Sequence, residues 1–139
     1  MDKGVTMRMG KIAAAWSGGL LLLFGLLYVV AAERMLSLAE LEHLSPTALT
    51  DLRVMYGALE IGPGLFCLAS LRRTDWLEPA LALAAITFAC IAAVRLLGIS
   101  LDGTANQYHL TAIAIEIATC AFAGYAWRAL SSRVARSAR

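Results

Sequence analysis

Four stretches of this chain, residues 12–32, 51–71, 78–98 and 108–130, are apolar over the ~20 residues that a helix needs to cross a hydrocarbon core. No other feature constrains the fold as tightly. In hydrocarbon, backbone N–H and C=O groups find no water, so runs of this length satisfy one another as helices. Composition agrees, with 60% of the 139 residues hydrophobic and 16% charged, outside the balance of soluble domains. The length leaves room for one domain. The chain therefore reads as a single all-α integral membrane four-helix bundle over residues 1–139, its spans set by helix signals at about 12–32, 46–71, 78–98 and 105–130.

The formal net charge of +2 is small, but its placement is informative. Lys3, Arg8 and Lys11 precede span one, Arg72 and Arg73 lie between spans two and three, and Arg128, Arg133, Arg136 and Arg139 close the chain. Only Arg34, Arg53 and Arg95 fall at the opposite ends. The positive-inside rule places both termini and the middle loop in the cytoplasm. The basic tail is expected on anionic headgroups of the lipid bilayer, and no nucleic-acid motif is present. Cys67, Cys90 and Cys120 all lie inside spans without a CxxC pair, which reads as inert small hydrophobes and not as a disulfide or redox site.

Local signals fill in the chain. Span one carries Ser17, Gly18, Gly19 and Gly25, a small-residue side suited to close helix contact. A cleaved signal peptide ending near Ala32 is the competing reading, but the apolar run exceeds the usual 7–15 residues. Residues 33–44 alternate apolar and polar as a short amphipathic outer segment, lying flat on the interface or capping the bundle mouth. Ser45 then suits an N-cap and Pro46 the first helical position. Gly62-Pro63-Gly64 predicts a kink. In the turn at 72–78, Trp76 reads as an interfacial anchor, and Asp75 with Glu78 as a capping box, unless Glu78 simply precedes Pro79 at the helix start. Span three is rich in alanine and should pack closely. Asp102-Gly103 predicts a turn, Thr104 to Gln107 a capping box opening span four, and Tyr125 with Trp127 an inner aromatic belt.

Within these apolar spans a few ionisable groups stand out. On an α-helix, Arg53, Tyr56 and Glu60 fall at i, i+3 and i+7, stacking on one face over roughly 10 Å. His109 and Glu116 share a face of span four in the same way, and span three holds Arg95. A central intramembrane charge costs about 2.5–3.5 kcal/mol on insertion scales, so these groups should face the bundle interior and one another. Arg53, Tyr56, Glu60, Arg95, His109 and Glu116 are thus the candidate ligand-binding residues. Two readings stay open. In one, the Arg/Glu set forms interhelical clasps that fix register; in the other, it lines a polar pocket open to the outer side. Burial raises a carboxyl's pKa and a neighbouring arginine lowers it, so either glutamate is tunable there. His43 and His109 are the only histidines; both lie on the outer side, where a bis-histidine haem site is geometrically conceivable, but an interfacial histidine is far more often an ordinary polar contact, and no metal or cofactor is expected; no Walker, GxSxG, HExxH or dinucleotide pattern occurs.

The segments LRVMYGALEIGPG (residues 52–64) and RLLGISLDG (residues 95–103), together with Glu116, resemble a bacterial family of small four-span proteins known only as a domain of unknown function, itself similar to the DoxX-like membrane proteins. The resemblance covers nearly the whole chain. It implies a four-helix membrane bundle in a bacterial inner membrane and marks Arg53, Tyr56, Gly57, Glu60, Gly64, Arg95, Asp102, Gly103 and Glu116 as the pattern. Where a second glycine commonly follows the Tyr-Gly pair, this chain has Ala58. DoxX-like relatives imply accessory roles in quinone or thiol redox work, for which this chain lacks paired cysteines. Two functions are expected from the residues. One is a membrane protein whose polar cluster binds a small amphiphile, a partner membrane protein or a second copy of itself. The other is an intramembrane enzyme using Glu60 and Glu116 as general acid and base on an isoprenoid- or quinone-like substrate.

Overall fold

The computed structural model describes residues 3–40 and 44–137 and contains helices joined by short turns, with no strand among them. Helix α1 (Lys3–Val30) is followed by the short α2 (Ala32–Leu38). Helix α3 (Pro46–Ala69) is continuous but has a π-helical stretch at Arg53–Ala58. A 3-10 turn (Thr74–Trp76) leads into α4 (Leu77–Asp102), and α5 (Gln107–Ser137) is the last described element. Four helices are long and apolar enough to cross a membrane, over Gly4–Val30, Pro46–Ala69, Thr74–Asp102 and Gln107–Ser132. Leu23, Ile86, Val94, Leu97 and Ile117 are exposed on the outside of the bundle, the surface that hydrocarbon would cover. The helices reach further than the apolar runs, because α1 includes the basic turn before residue 12 and α4 continues past residue 98.

Sequence dictates several of the ends. Ser45 Oγ accepts from the Ala48 N–H at 3.2 Å and Pro46 opens α3, as its N–H-free first turn allows. Gly103 stops α4 with φ of 67°, a left-handed conformation that glycine adopts without penalty, and its N–H reaches the Ile99 carbonyl at 2.9 Å. Two expectations need correction. Asn106, not Thr104, caps α5: its Oδ1 accepts from the His109 N–H at 3.0 Å, and the helix begins at Gln107. Because the helix begins at Gln107, Asn106 holds the N-cap position, and Thr104 lies two residues too early to reach the free N–H groups of the first turn. At the start of α4 no side chain caps the backbone; Glu78 instead takes a hydrogen bond from Ser131 of α5. Leu41, Glu42 and His43, part of the amphipathic outer segment, lie outside the described residues.

Helices α1 and α3 run antiparallel at backbone contact. A Cβ on Gly18 would fall 2.9 Å from the Gly64 carbonyl oxygen, and one on Gly25 would fall 2.8 Å from that of Gly57. The two glycine pairs are seven residues apart on each helix, so they form one seam along which no side chain separates the backbones. Helices α4 and α5 form the other extensive antiparallel contact, and α1 also touches both of them. At the end where α1 begins, called here the basic end, Ala13, Ala14, Leu77, Leu81, Ala126 and Leu130 close the core. The next layer, Cys67, Ala80, Ala84, Ala85 and Ala123, is nearly all small residues, which lets the alanine-rich α4 sit close to its neighbours. Trp76 stacks on Phe66 with centroids 5.4 Å apart, and the Arg73 guanidinium lies 4.5 Å from the Trp76 ring. At the opposite end α2 lays Met35 and Leu36 onto Tyr28, Leu49 and Leu52, capping the join of α1 and α3. Between that cap and the alanine layer lies a tier of polar side chains.

Candidate functional site

Arg95 of α4 organises the tier. Its Nε donates to Glu116 Oε1 at 2.9 Å and Oε2 at 3.1 Å, and its Nη2 donates to Oε1 at 2.6 Å. The pair is nearly shut off from the surroundings, with the Glu116 side chain 8% exposed and that of Arg95 22%. A planar guanidinium gripping a carboxylate through several N–H groups is the geometry in which a buried ion pair holds together. Arg95 Nη1 also lies 3.4 Å from His109 Nδ1; for a hydrogen bond there, Nδ1 accepts and the imidazole proton sits on Nε2. The Asn106 cap that starts α5 fixes the backbone at His109 and so sets the direction of both His109 and Tyr108.

Aromatic rings form the flank. Tyr28 of α1 stacks on Tyr56 of α3, centroids 5.0 Å apart and planes at 23°. Tyr108 of α5 presents its phenol to Tyr28, and its ring centre lies 5.9 Å from the Arg95 guanidinium carbon. Tyr56 is 46% exposed, so the flank is accessible from outside the bundle. Nothing in the sequence marks Tyr28 and Tyr108 as site residues; tyrosines near span ends read as interfacial belt residues, and only the fold turns these two inward.

Glu60 enters the tier from α3. It lies within Coulombic reach of both Arg95 and Glu116, yet its Oε2 is buried with no hydrogen-bond partner among the described residues. An isolated acceptor of this kind costs about 1–3 kcal/mol or more relative to a paired one, so a donor belongs there. Arg53 is not brought to Glu60. The π stretch takes about one residue more than an α turn, which rotates Arg53 by roughly 100° from the face shared by an i, i+7 pair. Among the described residues Arg53 has no ion-pair partner, and its buried Nε has no hydrogen-bond acceptor. Of the six candidates, then, Tyr56, Glu60, Arg95, His109 and Glu116 lie in one tier, and Arg53 stands apart. His43 lies outside the described residues. No group of three or more potential metal ligands occurs among the described residues.

The arrangement is a neutralised ion pair at the centre, an open carboxylate oxygen beside it, and tyrosine faces leading outward. A polar acceptor beside a flat aromatic surface is the pairing of chemistries that amphiphile sites use. Neither the curated proteins nor the solved structures compared with the chain give a match. A family model does, over residues 9–127, and it carries no link to the DoxX-like proteins. That span reaches into all four long helices and includes every residue of the polar tier. The chain therefore belongs to the family described as Domain of unknown function (DUF4345).

Proposed function

We propose that this protein binds a small amphiphile in the polar tier, entering from the surrounding lipid between α3 and the α4–α5 pair, with Glu60 receiving a hydrogen-bond donor of its polar head. The observation that carries the reading is the buried, unpartnered Glu60 Oε2 next to an ion pair that is already satisfied. Tyr56 and Tyr28 supply a flat apolar surface for the rest of the ligand. The acid/base reading draws less support, because Glu116 is held by three hydrogen bonds from Arg95 and has no free role in proton exchange. With the basic residues on the cytoplasmic side of a bacterial inner membrane, the tier lies in the outer half of the bilayer. Kinship with DoxX-like proteins rests only on the resemblance carried by residues 52–64, residues 95–103 and Glu116.

The test is to purify wild type, Glu60→Gln and Tyr56→Ala in mild detergent and compare bound small molecules by native mass spectrometry. Wild type is expected to retain an amphiphile that both variants lose, with the unfolding free energy of Glu60→Gln within about 1 kcal/mol of wild type. Equal retention by wild type and both variants, or an empty site in all three, overturns the reading.

A further inference from the structure

At the basic end, α1 presents two different faces. The inward one packs Gly10 against Leu77 and Leu81, and buries Ala13 and Ala14. On the outward one, Met7, Arg8, Lys11, Ile12 and Ala15 form a shallow depression, bounded by Leu71 where α3 ends. Arg8 and Lys11 are one helical turn apart on this face, and neither has a carboxylate partner among the described residues. The acid closest in sequence to Leu71, Asp75, is taken by Arg73 at 3.4 Å. Ile12 and Ala15 continue the depression by one to two turns toward the middle of the bundle, offering only hydrocarbon. Two uncompensated cations above an apolar track, at the level where a long apolar helix leaves the membrane, match one chemistry.

We propose that this depression is a binding site for an anionic phospholipid of the adjacent leaflet, its phosphate held between Arg8 and Lys11 and an acyl chain lying along Ile12, Ala15 and Leu71. The charge complementarity is local. A guanidinium and an ammonium a turn apart can share one phosphate, and each basic group near an anionic surface adds about fivefold in affinity. A zwitterionic lipid has the same acyl chains but brings its own cation, which Arg8 and Lys11 repel. The site is separate from the polar tier, which lies toward the opposite end of the bundle.

The experiment titrates delipidated protein in non-ionic detergent with phosphatidylglycerol and, separately, phosphatidylcholine, reading bound lipid by native mass spectrometry. Wild type is expected to bind phosphatidylglycerol at least tenfold better than phosphatidylcholine. The double variant Arg8→Gln/Lys11→Gln should lose that preference, and Arg128→Gln, an exposed basic site at the same end but outside the depression, should keep it. Equal binding of the two lipids by wild type, an unchanged preference in the double variant, or an equal loss in Arg128→Gln each overturns the proposal. Glu60→Gln is expected to bind phosphatidylglycerol as wild type does, so failure here and failure of the amphiphile reading are told apart.

Discussion

Arg95 and Glu116 are worth more to each other than either is worth to the bundle. Taking both charges out of water is expensive, and their mutual contact does little more than offset it. Removing one partner is a different matter, because the survivor stays buried and uncompensated, at about 3–5 kcal/mol. Glu116→Gln or Arg95→Gln should therefore each lower stability by about 3 kcal/mol in a denaturant titration in detergent. Replacing both by leucine should recover most of that loss, since neither member of the pair would then be left buried and uncompensated. A double variant as unstable as the sum of the singles would show that the pair stabilises the fold in its own right. Glu60 differs from Glu116 at this scale because its Oε2 has no partner to lose among the described residues.

Among the elements, the α1–α3 seam explains why glycines recur where they do. A Cβ on Gly64 would meet the Leu22 nitrogen at 2.8 Å, and one on Gly18 would meet the Cys67 Cβ at the same distance, both less than a real contact tolerates. Gly18→Ala and Gly64→Ala should each destabilise by about 1–3 kcal/mol, as the helices are forced apart. At Gly19 and Gly98 a Cβ would meet nothing within 4 Å, so alanine there should be neutral or stabilise by up to about 1 kcal/mol through helix propensity. Thermal unfolding of the four single variants checks the contrast. The helices themselves are legible in the sequence because apolar run length and the Ser45-Pro46 and Asp102-Gly103 signals act locally. The small-residue side of span one is legible too, though its pairing with Gly57 and Gly64 needs the fold. The π stretch is not. Nothing in RVMYGA breaks an α pattern, and the wide turn is visible only with Gly57 seated against α1, so the expected stacking of Arg53 over Glu60 does not form. The inward turn of Tyr28 and Tyr108 is hidden for a similar reason: a tyrosine near a span end suits an interface as well as an interior.

For the molecule as a whole, one end is packed shut and the other is polar inside. The basic end closes on Ala13, Leu77, Leu81, Ala126 and Leu130, and the layer above it is alanine and cysteine with little room. The polar tier lies beyond that plug, beneath the α2 cap. On the proposed reading, a ligand reaching Glu60 comes from the tier's own side of the membrane, and which side that is decides what the protein can sample. Arg8, Lys11, Arg72, Arg73 and Arg128 cluster at the plugged end, which the positive-inside rule assigns to the cytoplasm. In a variant whose three cysteines are replaced by alanine, a single cysteine at Ala105 should react with a membrane-impermeant maleimide in intact cells. One at Thr74 should react only after the membrane is permeabilised. Both positions are exposed in turns, so access and not burial decides the labelling. The reverse pattern would place the tier on the cytoplasmic half, and its amphiphile would then be drawn from the inner leaflet, the same leaflet that would no longer face Arg8 and Lys11.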